Sequence, residues 1–478
     1  MGFFPYLVSM SALFASRRLF VWLAPFALAA CGDGLSLASG IALPARLSAA
    51  APAPAVWPAP DWWRGFASAE LDALMAAATT NNFDIRAAQA RIRQADANLR
   101  IVGQALLPSG NLGAQATRSQ TPLSTATAVS VAGRSRFVQR EIFQTNLQAS
   151  YEIDFWGRNR AATEAARQTA DASRFDVGTI RITTEASVAN TYFAILAARE
   201  QLEIQQQNLA AAERILTLLN QRLEVGTGTG LDIAQQATLV QQQRAQLPPL
   251  RQSIDQNIYS LGTLTGQVPQ TVPRPTMSLA ALRLPVVAPG LPAEIIVRRP
   301  DVWQAEATLA SAQASVESAR AALLPAITLT TSGGFQNLVL ENLLRPGSAL
   351  YSLAAGLTQP IFQLGALRAR VRLTEAQAQE LLENYRAAIV QALVEVEQAI
   401  VALRDTTEQE ALQQAATRSA ERAYAISETQ LRAGTIDLIT LLNTQQTLFN
   451  TRNFLIQVRL AKYQAAVGLF RALGGGWG

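Results

Sequence analysis

The chain contains itself twice. Residues 84–108 (DIRAAQARIRQADANLRIVGQALLP) and 301–325 (DVWQAEATLASAQASVESARAALLP) align without a gap, 217 residues apart, and nine of 25 positions are identical, including the closing Ala-Leu-Leu-Pro. A second pair of landmarks keeps the same step: 69 residues separate Gly157 from Gly226, and 69 separate Gly365 from Gly434. Units of this size are not the repeats of about 20–50 residues that stack into a solenoid. A duplicated architecture is expected, in which each copy builds the same parts once.

The longest part is a rod. No proline interrupts residues 157–247 or 361–478, and both stretches are rich in Ala, Leu, Gln, Glu and Arg, all good helix formers. At 1.5 Å per residue, 69 helical residues make a rod of about 100 Å. Ordinary globular helices run about 8–20 residues, so rods this long call for coiled-coil or repeat-like packing. Ile195, Leu196, Leu202, Leu209, Leu216, Leu219 and Leu223 follow one another at the spacing of a helix seam. Each rod ends in a glycine turn, Val225-Gly226-Thr227 in the first copy and Ala433-Gly434-Thr435 in the second. Glycine just past a helix end is a C-cap signal. Thr and Asp opening the next helix supply an N-cap and a charge suited to the helix dipole.

Between the proline that closes each repeat and the glycine that opens each rod, the period changes from helical to alternating. Residues 111–117 and 146–154 alternate polar with apolar, and residues 327–330 and 351–361 do so more weakly. Each copy therefore predicts one hairpin of two strands of about ten residues, the length of a transmembrane β-strand. Tyr151, Phe155 and Trp156 gather at one strand end and Phe362 at the matching end, as aromatic side chains do at a membrane interface. Four strands cannot close a membrane barrel, whose smallest members have about eight, and an open sheet edge in lipid leaves backbone groups unsatisfied. Several chains are expected to pool their strands.

Composition narrows the chemistry. There is no histidine and a single cysteine, so the usual general base, the commonest metal ligand and any intrachain disulfide are absent. No paired carboxylates stand apart from ordinary helix-surface charge, and the expectation is no enzyme, no metal and no cofactor. The net charge of +5 comes almost entirely from arginines scattered among glutamines and carboxylates, with none of the basic patches that bind nucleic acid.

At the amino terminus, Arg17 and Arg18 precede an apolar run from Leu19 to Ala30, too short to span a bilayer. It ends Leu28-Ala29-Ala30-Cys31-Gly32, which resembles a bacterial lipobox and makes Cys31 the expected lipid attachment site; Met10 is an alternative start. The likeness implies a covalent lipid on Cys31 and, since Gly32 rather than Asp follows it, delivery to the outer membrane. Residues 1–30 read as a lipoprotein signal peptide and 31–61 as an Ala/Pro-rich tether. The first repeat follows at 62–267, an interhalf linker at 268–292 and the second repeat at 293–478.

Five segments carry a family likeness: Trp62-Trp63, residues 150–158 (SYEIDFWGR), residues 290–301 (GLPAEIIVRRPD), residues 359–362 (QPIF) and residues 473–477 (LGGGW). Together they resemble the TolC-like outer-membrane efflux channels, in their lipoprotein branch. The resemblance implies a mainly α fold with a β-barrel part. Duplicated helical hairpins would form a trimeric α-barrel through the periplasm, and four strands per chain would enter a shared 12-stranded transmembrane barrel. It implies a homotrimer in outer-membrane lipid, working with a periplasmic adaptor and an inner-membrane pump of the RND type as a passive exit duct for drugs or other small molecules. Val225, Gly226, Thr227, Ala433, Gly434 and Thr435 would meet the adaptor, while Asp437, Thr440 and Asn443 would line a periplasmic constriction. Family members often carry Asp where this chain has Asn443, so strong cation block is not expected there. A lipid-anchored coiled-coil spacer would need the rods and Cys31 but gives no reason for the hairpins, and an envelope enzyme would need reactive side chains that the chain lacks.

Overall fold

A computed structural model describes residues 40–48, 56–122, 137–287 and 290–477. The signal peptide and Cys31 lie outside the described residues. The chain divides into residues 1–45 and residues 46–478, and the second unit holds every described helix and strand.

In the first copy, α1 (Ala69–Asn81) and α2 (Phe83–Gly103) lead to β1 (Ser109–Pro122) and β2 (Phe137–Ile153). The rod α3 (Arg158–Glu224) follows, and α4 (Gly230–Ala245) and α5 (Leu247–Thr265) return from its far end. The second copy repeats this as α6 (Pro292–Val297), α7 (Pro300–Ala321), β3 (Ala326–Asn337), β4 (Ala349–Thr358), the rod α8 (Leu364–Arg432) and the return α9 (Leu438–Ala472). The rods are 67 and 69 residues long, as the glycine spacing predicts. The returns differ. Pro248 enters at the start of α5 and divides the first return at Gln246, because proline removes a helix hydrogen bond and clashes with the preceding turn. The second return has no proline and runs 35 residues unbroken.

All four strands form one antiparallel sheet in the order β1-β2-β3-β4. β3 and β4 have 12 and 10 residues, near the expected length, whereas β1 and β2 have 14 and 17. The first hairpin is thus longer than predicted. The excess projects past the end of β3, since pairing of β2 with β3 stops at Phe143 opposite Asn337, while β1 and β2 stay paired to Pro122 opposite Phe137.

A large core lies where residues 62–66, α1, α3, α5, the linker and α9 meet. Trp62 stacks on Phe470 with ring centroids 4.9 Å apart, and the fully buried Phe66 sits 5.0 Å from Phe193. Each such side chain contributes on the order of 1.5–3 kcal/mol by leaving water. The linker packs into this core rather than looping out: Val272, Leu279 and Leu282 are buried, and the Tyr463 hydroxyl donates to the Leu282 carbonyl at 2.8 Å. The body also begins earlier than Trp62. Leu47 is buried with Ile295, Val396 and Leu469, and the Ser48 hydroxyl donates to Glu397. Part of the Ala/Pro-rich stretch is therefore docked. The carboxyl-terminal glycines serve the same assembly. Gly474 (φ 88°) and Gly476 (φ 74°) pass so close to the Arg298 and Ala59 carbonyls that a Cβ would lie 2.2 and 2.3 Å from them. The closing Trp477 packs edge-on against Phe175 on α3.

Candidate functional site

The two rod ends are built alike. Past α3, the Gly226 N–H donates to the Leu223 carbonyl and the Thr227 N–H to Arg222, at 2.9 and 2.8 Å. Past α8, Gly434 donates to Leu431 and Thr435 to Gln430, both at 3.0 Å. These are paired Schellman bonds, which satisfy the last helix carbonyls only when the glycine takes a left-handed conformation. Both do, with φ of 77° and 75°. The Thr227 and Thr435 hydroxyls bond the same carbonyls, Arg222 and Gln430, as their own backbone N–H groups. The two turns are neighbours: the Arg222 guanidinium lies 3.8 Å from the position a Cβ on Gly434 would take. Val225, Gly226, Thr227, Ala433, Gly434 and Thr435 are all exposed.

Beyond each turn the caps differ. Thr229 and Asp232 form a reciprocal capping box on α4, whereas Asp437 is itself the N-cap of α9 and accepts from the Thr440 N–H at 2.8 Å. Hydrogen bonds from Thr440 hold the Asp437 carboxyl below the usual carboxylate range. Asp437, Thr440 and Asn443 are exposed and follow at three-residue steps along one helix face.

At the other end of the molecule the sheet has two unlike faces. Side chains alternate across a strand, and the register places Leu147 beside Leu112 and Gly333, Tyr151 beside Leu329, and Leu353 beside Thr331 on one side. Tyr351, Leu353 and Leu357 on this side are 90%, 70% and 70% exposed, which suits hydrocarbon rather than water. The opposite side carries Asn111, Gln148, Ser332 and Ser352 in one row, with the two serine hydroxyls 2.8 Å apart. Among the described residues no helix is long and apolar enough to cross a membrane. Phe155 and Trp156 sit just past β2, packed edge to face at 4.7 Å, and the Trp156 indole donates to the Pro325 carbonyl. Phe362, just before α8, is fully exposed. Tyr151 is the third residue from the end of β2.

A third feature escaped the sequence reading. Glu410 on α8, only 7% exposed, accepts from Arg459 Nε at 2.9 Å and from Lys462, both on α9, and Arg459 also bonds Glu200 on α3 at 3.1 Å. Burial alone would raise the Glu410 carboxyl, but the bonds from Lys462 and Arg459 hold it below the ordinary carboxylate range. Burial pushes Glu200 up despite Arg459. This clasp ties three long helices together about 33 Å from the turns, at 1.5 Å per residue. Its one legible signal was Lys462, the only lysine in the chain. Among the described residues no cluster of His, Cys, Asp or Glu could hold a metal ion.

A sheet with a lipid face and a polar face, open at both edges and joined to two rods with matched tips, is the subunit of a membrane channel. The profile described as outer membrane efflux protein matches residues 74–267 and 291–475. The pyoverdine export outer membrane protein OpmQ of Pseudomonas aeruginosa is 40% identical over 453 residues, 94% of this chain and 95% of that protein. Its counterpart in Pseudomonas putida is 41% identical over 416 residues, 87% of this chain and 88% of its own length. Among solved structures, the outer-membrane channel OprN superposes with a TM-score of 0.83 at 25% identity, covering 91% of this chain and 97% of that one. The chain belongs to the outer membrane efflux protein family: it is a TolC-like channel of the outer membrane that extends into the periplasm. This rules out the spacer reading and gives the hairpins their purpose.

Proposed function

We propose that three copies of the chain assemble into the exit duct of a tripartite efflux system, and that the duct carries small molecules passively. The observation that carries this reading is the two-faced sheet with unpaired β1 and β4 edges. Backbone groups at those edges cannot be left open in lipid, and three sheets of four strands exceed the minimum for a closed barrel. The rods then surround a common axis and bring six matched turns to one level. Val225, Gly226, Thr227, Ala433, Gly434 and Thr435 meet a periplasmic adaptor, which connects the duct to an inner-membrane pump of the RND type. Asp437, Thr440 and Asn443 line the constriction beside those turns. Phe155, Trp156 and Phe362 mark the periplasmic membrane boundary, with Tyr151 just inside it. Relatives at 40–41% identity are named for pyoverdine export, while a toluene efflux pump protein of Pseudomonas putida is 30% identical. That order favours a polar secreted cargo over a hydrocarbon solvent.

The test is made on one purified sample. Crosslinking in detergent should trap trimers, and the same trimers should conduct in a planar bilayer. A clean monomer that never conducts would end this reading. A covalent lipid on Cys31 anchors the amino terminus to the membrane leaflet. Cys31→Ser is expected to abolish incorporation of labelled palmitate, and labelling that persists in this variant would remove the lipobox assignment.

A further inference from the structure

The polar face of the sheet is unusual in what it omits. Four strands pair side by side from Ser109 opposite Ser150 up to Phe335 opposite Ala349. Within that band, the side turned from lipid is built in rows. One row is Asn111, Gln148, Ser332 and Ser352; the next is Gly113, Asn146, Gly334 and Leu350. Among the described residues no ionisable side chain stands on this side within the band; Glu152, two residues beyond Ser150 on the side of the rods, is paired by Arg158, which donates to it at 2.5 Å. Arg118 and Glu141 stand on the opposite side, beyond the band, and pair with each other at 3.3 Å. Arg140 shares the polar side, but it sits eight residues along β2 from Gln148, about 27 Å at 3.4 Å per residue. That is several times the screening length of about 8 Å at physiological salt. The glycines fit the same design. A Cβ on Gly334 would lie 2.0 Å from the Thr145 carbonyl, and one on Gly113 would press on the Asn146 amide oxygen at 3.1 Å, so neither position beside Asn146 takes a larger, charged side chain without displacing its neighbour.

From this lining we infer that the membrane barrel is a charge-blind, hydrogen-bonding passage, matched to hydrated polar cargo of either sign, and that selection by charge takes place elsewhere in the duct. Amides and hydroxyls both donate and accept. They replace part of a solute's hydration shell whether it is anionic, cationic or neutral. A ring of carboxylates or guanidinium groups would favour one sign instead. Three copies of the Gln148 row give a ring of amides and hydroxyls with no formal charge.

The inference rests on the barrel proposed above, and the test separates the two. Gln148→Cys and, in the same row, Ser332→Cys are made in the full-length trimer, with wild type as the control for Cys31. Each is treated with anionic and cationic methanethiosulfonate reagents, and rates are normalised to a free thiol. Both cysteines should react with the two reagents at rates within about threefold, since the nearest ionisable side chain on this face, Glu152, is four residues along β2 from Gln148, about 14 Å at 3.4 Å per residue, and is neutralised by Arg158. Leu147→Cys, on the lipid face, should react at least about tenfold more slowly with both. Adding Ser352→Asp to Gln148→Cys should then favour the cationic reagent by about tenfold. A strong preference for one sign at both Gln148→Cys and Ser332→Cys, without the added Asp, would overturn charge-blindness while leaving the barrel intact. Equal reactivity of Leu147→Cys and Gln148→Cys would instead overturn the assignment of the faces, and the barrel with it.

Discussion

Replacing Glu410 with glutamine is expected to destabilise the helical body by about 3 kcal/mol at neutral pH, the lower range for removing one partner of a buried ion pair. For a body of this size that is a fall of about 3 °C in unfolding temperature. Glutamine keeps the shape of glutamate, so the loss is electrostatic. Arg459 and Lys462, each with its side chain only 14% exposed, would face a neutral amide. Glu200 would remain as the one carboxylate near them, bonded to Arg459 alone. The pH dependence gives a sharper check. The Glu410 carboxyl titrates below its ordinary 4.5 in the folded chain, so its contribution is fully present above about 4.5 and is lost as pH falls through the lower folded value. Wild type and Glu410→Gln should therefore differ at pH 7 and converge in acid, when the wild-type side chain is also neutral. Thermal unfolding of the trimer, followed by circular dichroism at pH 7 and at successive steps into acid, measures both. A gap that never narrows as the pH falls would show that the cost is one of packing and not of charge.

The parts of this molecule that were legible in the sequence are those set by local rules. Glycine past a helix end fixes a turn whatever surrounds it, so Gly226 and Gly434 could be read directly, and their equal spacing from Gly157 and Gly365 gave the rod length. Alternation likewise revealed the hairpins, because one residue of slip would turn every apolar side chain to water. Their lengths were not legible. β1 and β2 continue past the band that β3 and β4 share, and the continuation, with Arg118 opposite Glu141, has no apolar face to betray it. The clasp was hidden for a different reason. Glu200, Glu410, Arg459 and Lys462 each look like ordinary charge on a helix surface, and only the packing of α9 against both α8 and α3 brings them together. Docking of Leu47 and Ser48 was equally invisible, since Ala/Pro-rich sequence resembles a free tether until a distant partner, here Glu397, is known.

The largest effect on transport is expected from the two turn glycines changed together, Gly226→Val and Gly434→Val. Each sits at a positive φ near 76°, where an L side chain costs about 1–2 kcal/mol and a β-branched one more. Space is not the obstacle. Nothing lies within 4 Å of a Cβ on Gly226, and only the end of the Arg222 side chain approaches one on Gly434. The strain therefore falls on the turn backbone itself, at the Schellman bonds of Thr227 and Thr435, while the core near Trp62 and the sheet are left alone. A partner that grips the native turn must then bind a conformer of reduced population. A strain of about 2 kcal/mol at one turn weakens its grip roughly thirtyfold. Trimers should still form and still conduct, because neither the strand edges nor the lumen of the sheet is touched, while capture of the trimer by the adaptor and export from cells should both fall by more than about tenfold. Gly226→Ala with Gly434→Ala should show the same pattern at smaller size, since the penalty without β-branching is lower. Native export and native adaptor capture by the valine pair would remove the turns from the proposed contact. Loss of the trimer would instead mean that the turns hold the α-barrel together.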